Sequence, residues 1–122
     1  MKIKIRVFHK KPNVREFHQR IRLTEYPEYY DGPGDVFAEN YEWGYKNHAY
    51  LLAKDIFTIA GIQQIMISGC LVEVEISRSY NWKKDKIQAR LLNIIRKYAE
   101  AKLKIQKLIE DTIKKSKRKD SP

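Results

Sequence analysis

The stretch HAYLLAKDIFTIAGIQQIMISGCLVEVEI, from His48 to Ile76, carries two hydrophobic periods in succession. In its first half Leu51, Leu52, Ile56 and Ile59 recur near helical spacing, with Tyr50, Ala53 and Phe57 widening the stripe. Gly61 stands where a helix carboxyl terminus favours a left-handed residue, which predicts a helix of about three turns over 48–60. After Gly61 the period falls to two. Ile62 to Ile67 is rich in β-branched residues, Ser68-Gly69 signals a turn, and Leu71, Glu73 and Glu75 alternate with Val72, Val74 and Ile76. The second half is expected to be a hairpin with one face in the core and one in water.

Towards the amino terminus, Lys2, Lys4 and Arg6 alternate with Ile3, Ile5 and Val7. A turn at Pro12-Asn13 follows, and then Phe17, Gln19, Ile21 and Leu23 alternate with His18, Arg20 and Arg22, giving two further antiparallel strands. From residue 24 to 49 the pattern stops: Pro27, Gly32-Pro33-Gly34 and Gly44 punctuate a segment dense in aromatic rings, read as a long loop. Loops longer than about 15 residues are uncommon in small domains unless they have a function. Towards the carboxyl terminus, Asn81 is expected to cap a helix starting at Trp82, with Ile87, Leu91, Ile94, Ile95 and Tyr98 on its buried face. Ala101, Ile105, Leu108, Ile109, Thr112 and Ile113 continue that stripe to Lys115, so the helix should run about 50 Å, further than so small a domain can cover. Residues 116–122 form a short basic tail. The order ββαββα predicts an α+β, two-layer fold: an antiparallel sheet, two helices on one face, and a long C-terminal helix extension.

A chain of 122 residues that is 43% hydrophobic suits one folded domain and excludes global disorder. No apolar run approaches the roughly 20 residues of a membrane helix, and Met1 to Arg6 alternates charge where a signal peptide would build an apolar core. A cytoplasmic or organelle-matrix location is expected, with no secretion and no membrane insertion. Cys70 is the single cysteine, which excludes an internal disulfide and any metal site built from several cysteines of one chain. The net charge of +10 is segregated. Residues 1–23 hold eight basic residues and one acid, residues 24–49 hold six acids and only Lys46, and residues 83–122 hold fourteen basic residues and five acids. Such a field favours phosphate backbones or an acidic partner; its alternative reading is solubility.

Residues 52–65, LAKDIFTIAGIQQI, followed by the hairpin Met66 to Ile76 and by Asn81-Trp82, resemble the amino-terminal domain of NifU-like (Nfu) iron–sulfur cluster scaffold proteins. Pro12-Asn13 and Phe17 match that family's early segment, and the resemblance extends over residues 1–98, with 99–122 as a basic helical extension. It implies the family's fold and a link to iron–sulfur assembly components as partners. The family's Gly-Pro-Asp turn is replaced by Ser68-Gly69-Cys70, and the Cys-x-x-Cys domain that holds the cluster has no counterpart, so cluster binding by this chain is not implied.

The chemistry expected is that of a non-catalytic interaction module. There is no Gly-rich phosphate loop, no serine elbow and no His-x-x-x-His pair, and neither a catalytic residue nor a cofactor is expected. Tyr29, Tyr30, Phe37, Tyr41 and Trp43 of the acidic loop, with Cys70 at the hairpin turn, are the candidate protein-partner surface; the competing reading of the rings is a cap on the core. Cys70 is also the candidate metal ligand, if two copies were to bring two thiols to one cluster, against a plain structural role in the turn. His9 and His18 are placed where the first strand pair could bring them together. The alternative function is RNA or ribonucleoprotein binding through Lys2, Lys4, Arg6, Arg20 and Arg22 on the sheet and Lys114, Lys115, Lys117, Arg118 and Lys119 on the last helix. Self-association or docking into a larger assembly through that helix is the further expectation.

Overall fold

A computed structural model of the chain describes residues 1–37 and 47–119. Strands β1 (Lys4–Val7), β2 (Val14–His18), β3 (Glu28–Tyr30), β4 (Ile62–Ser68) and β5 (Leu71–Ile76) form one antiparallel sheet in the order β1-β2-β5-β4-β3. Helices α1 (Gly34–Phe37), α2 (His48–Ile56) and α3 (Ile87–Lys119) complete the fold. The expected α+β architecture is present.

Register decides which side chains enter the core. Phe17 pairs with Val72, Ile67 with Val72, and Ile65 with Val74, so these residues share a face, and all are nearly or fully buried. Leu52, Ala53 and Ile56 of α2 and Ile87, Leu91, Ile95 and Ala99 of α3 cover that face in a single cluster. Burial of so many aliphatic side chains, each contributing about 1.5–3 kcal/mol, is the main force holding the layers together. Among the described residues no helix packs on the other face of the sheet, where Val14 is nonetheless buried. No helix among the described residues is long and apolar enough to cross a membrane.

Three local expectations are corrected. The segment 24–49 is not a plain loop. Glu28–Tyr30 adds a fifth strand on the edge beside β4, and Gly34–Phe37 forms one helical turn, because Tyr30 and Val36 have core positions to fill. Helix α2 ends at Ile56, with Phe57 as its cap, and Gly61 at φ +95° instead turns the chain into β4. Helix α3 begins at Ile87 and not at Trp82. Asn81 does cap a turn, its Oδ1 accepting the N–H groups of Lys83 and Lys84 at 3.0 and 2.9 Å, but Lys86 at φ +58° separates that turn from the helix.

Helices α2 and α3 are clamped where α2 starts. Asn47 caps α2 by accepting the Tyr50 N–H at 2.7 Å, and the His48 Nε2–H donates to the Tyr98 carbonyl at 2.7 Å while the two rings meet edge to face. Burial lowers the His48 pKa, the hydrogen bond to Tyr98 opposes this, and the charge of Lys102 adds to the lowering. The folded chain therefore binds fewer protons at His48 than the unfolded chain does, and stability falls as pH drops below the unfolded value of about 6.5. Thermal melts between about pH 5 and 8 should show this loss, and His48→Gln, which keeps a donor for Tyr98, should flatten it.

Candidate interaction surfaces

On the bare face of the sheet, Tyr29 of the edge strand pairs with Met66, Met66 with Glu73, and Glu73 with Glu16, so these side chains lie in one row across four strands. Tyr29 is 72% exposed, an unusual state for a large ring on a strand. With it a groove of about 480 Å³ is lined by Val14, Gln64 and Met66, by the acids Asp31, Glu73 and Glu75, and by the bases Lys11 and Arg78. A rigid exposed ring beside an adaptable methionine is the kind of anchor that protein interfaces use.

The aromatic surface expected from the sequence divides. Neighbours on a strand point to opposite faces, so Tyr30 is buried at 4% exposure, with its hydroxyl on Glu28 Oε2 at 2.6 Å, while Tyr29 faces solvent. Phe37 lies half-exposed against α2, beneath the Lys54 ammonium at 5.7 Å. Tyr41 and Trp43 lie outside the described residues. Cys70 is partly exposed in the two-residue turn between β4 and β5, where Gly69 at φ +58° supplies the positive φ that a primed hairpin turn demands. The carbonyls of that turn accept the N–H groups of Gln19 and Leu23 at 3.2 and 2.8 Å, which ties it to the chain leaving β2.

The basic residues are dispersed as well. Lys4 and Arg6 sit on the bare face, but opposite His18 and Glu16, and Glu16 Oε1 lies 3.7 Å from Arg6 and 3.1 Å from His18. Lys2 precedes β1; Arg20 and Arg22 follow β2, with Arg22 3.9 Å from Glu25. Acids thus interrupt the expected basic strand face. Lys114 and Lys115 are exposed on α3, while Lys117, Arg118 and Lys119 end that helix with side chains outside the described set. His9 and His18 are at opposite ends of the first strand pair, because Lys4 pairs with His18 and the turn begins beyond Val7. The described residues include no group of three or more His, Cys, Asp or Glu arranged to hold a metal ion.

One feature escaped the sequence reading. Arg15 has the same parity as Phe17, so its guanidinium lies on the core side, 5.0 Å over the Trp82 ring and hydrogen-bonded to Gln88 Oε1, while its buried Nε has no partner among the described residues. The alternation contained this placement. The free end of α3 runs as the sequence led one to expect. Ile105, Ile109 and Ile113 follow Ile87, Leu91 and Ile95 by eighteen residues, five full turns, and so point to the side on which the core lies. Yet they are 52%, 54% and 50% exposed, and Leu108 is 66% exposed, because the sheet and α2 end before them.

No family model and no curated protein matches this chain. The crystal structure of protein SAV1430 from Staphylococcus aureus is similar to it, with a TM-score of 0.53 at 14% sequence identity, over 77% of this chain and 98% of that one. At that identity the likeness speaks for a common fold.

Proposed function

We propose that this chain is a non-catalytic protein-interaction module of the Nfu amino-terminal type, which presents the bare face of its sheet to a component of iron–sulfur cluster assembly. The observation that carries the reading is Tyr29, a large ring held in the open beside Met66 and a groove, at no evident gain to the fold. Support for the family link comes from residues 52–76, whose motif falls on one contiguous unit, α2, β4 and β5. Acids and bases both line the groove, Asp31, Glu73 and Glu75 against Lys11 and Arg78, which favours a partner segment carrying both charges beside an apolar side chain.

The test is recovery of tagged chain from its native cells at about 0.1 M salt after nuclease treatment, with protein identification and an iron and sulfide assay of the eluate. Iron–sulfur assembly proteins are expected, and Tyr29→Ala with Met66→Ala should reduce their recovery at least about tenfold with an unchanged melting temperature. Recovery that ignores both substitutions overturns the reading. A second reading, RNA contact, is favoured by the exposed Lys104, Lys107, Lys114 and Lys115 along the free part of α3. In that case nuclease empties the eluate, and reversing Lys114 and Lys115 to Glu weakens RNA binding and flattens its salt dependence.

A further inference from the structure

We infer that the pocket between the β1–β2 turn and the segment following β5 binds a small phosphate monoester carrying a planar ring, the phosphate held by Lys10 and Arg78 and the ring against Tyr80. This pocket shares Asn13 and Arg78 with the groove at Tyr29 but is otherwise lined by different residues. The inference concerns a small molecule and does not rest on the function proposed above.

The fold itself builds the walls. The Trp82 Nε1–H donates to the Pro12 carbonyl at 2.9 Å, and the Ile76 N–H donates to the Asn13 carbonyl at 2.9 Å, so two connections far apart in sequence are tied together. The Tyr80 N–H closes the turn after β5 on the Ser77 carbonyl at 3.0 Å. Between these connections lies a cavity of about 480 Å³, within the roughly 300–1,000 Å³ of small-molecule sites. Backbone bonds hold the walls without a ligand, so little remains to be ordered on binding.

What each polar group of the lining already does selects the ligand. The Pro12 and Asn13 carbonyls are engaged as above, the Ile76 carbonyl accepts from Asn13 Nδ2 at 3.4 Å, and Asn81 Oδ1 accepts two backbone N–H groups. The side-chain groups left over can all donate. The Lys10 ammonium, the Arg78 guanidinium, Asn81 Nδ2 and the Tyr80 hydroxyl have no hydrogen-bond or ion-pair partner among the described residues. The lining holds two cations and no acid. Glu75 and Asp85, the acids closest in sequence, are engaged elsewhere: Glu75 Oε1 accepts from Asn13 Nδ2 at 3.2 Å, and Asp85 Oδ2 accepts the Asn81 N–H at 2.6 Å. Two cations match the charge of about −1.5 to −2 on a phosphate monoester, and a guanidinium takes phosphate oxygens in pairs. Tyr80 supplies a flat wall. Gly61 lies against one face of its ring, where an added Cβ would be 2.6 Å from Cγ and 2.9 Å from Cδ2, so the pocket meets the other face or the edge. A ring held in this way is a platform for a planar group.

Titration of the full chain with adenosine monophosphate, inorganic phosphate and adenosine, followed by amide-resolved NMR at about 0.15 M salt, tests this. The nucleotide is expected to move the amides of residues 10–13 and 77–82 saturably, with a dissociation constant below about 1 mM. Phosphate should move the same amides more weakly, and adenosine should move none. Lys10→Glu and Arg78→Glu should each weaken nucleotide binding at least about tenfold with an unchanged melting temperature. Lys10 does not line the groove at Tyr29, so Lys10→Glu separates this site from that one. Tyr80→Ala should weaken binding of the nucleotide but not of inorganic phosphate. A dinucleoside monophosphate, whose single phosphate is a diester of lower charge, should bind at least several-fold more weakly than the monoester. Absence of saturable shifts at about 10 mM nucleotide, equal binding of adenosine or of the dinucleoside monophosphate, or binding that survives both charge reversals each overturns the inference.

Discussion

Replacing Trp82 by alanine is expected to cost about 3–5 kcal/mol of stability, enough to lower the melting temperature of a domain this size by about 10–25 °C. Trp82 is 5% exposed and closes the end of the core over Phe17, with the ring centroids 6.3 Å apart. Its Nε1–H donates to the Pro12 carbonyl at 2.9 Å, which ties the turn before α3 to the turn between β1 and β2. The Arg15 guanidinium lies on the ring and would lose that contact, worth about 0.5–2 kcal/mol. Trp82→Phe separates these contributions. It keeps most of the apolar volume and a ring for Arg15 but leaves the Pro12 carbonyl without its donor, so a loss nearer about 1–2 kcal/mol is expected. Thermal denaturation followed by circular dichroism checks both values. Equal losses for the two variants would mean that the hydrogen bond, and not the packing, anchors this end of the domain.

Gly61→Ala is expected to be the most damaging loss among the described glycines, at least about 2 kcal/mol, from two separable causes. At φ +95° an L-residue with a side chain is strained, which costs about 1–3 kcal/mol. In addition, a Cβ at this position would lie 2.6 Å from Cγ of Tyr80, so the ring must move. The Gly61 carbonyl also accepts the Ser77 N–H at 2.8 Å, so the backbone is not free to relax the clash away. The double variant Gly61→Ala with Tyr80→Ala should recover the steric part alone, giving a coupling of about 0.5–3 kcal/mol in a double-mutant cycle read by urea denaturation. Purely additive losses would show that Tyr80 yields without cost.

How far the sequence could be read varies with the range of the interactions concerned. Alternation over Leu71–Ile76, β-branched density over Ile62–Ile67 and the helical stripe near Leu52 are local signals, and each names an element without reference to the rest of the chain. The same locality explains the errors. Glu28–Tyr30 is too short to show a period, and it is a strand because the edge of β4 lies open beside it. Trp82 looked like the first helical residue, yet the demand that its ring cover Phe17 places it in a turn, with Lys86 restarting the chain into α3.

The candidate surfaces follow the same division. That Ile105, Leu108, Ile109 and Ile113 form one apolar stripe among lysines was legible from spacing alone, since helical periodicity is a property of the backbone. Its length also announced that the domain could not cover all of it, and the structure shows Ile105, Leu108, Ile109 and Ile113 half or more exposed. Tyr29 and Tyr30 were indistinguishable as neighbouring rings in an acidic segment, and pairing with β4 sent one to solvent and the other to the core. The strand lysines and arginines were equally legible as a basic face, until pairing across strands set Glu16 among them. The sequence by itself determined the α+β elements, the segregated charge and the overlong amphipathic helix, because each depends on residues close together in the chain. Only the tertiary structure decided which rings, charges and apolar positions remain available to a partner, because exposure depends on what residues far away in sequence have already covered.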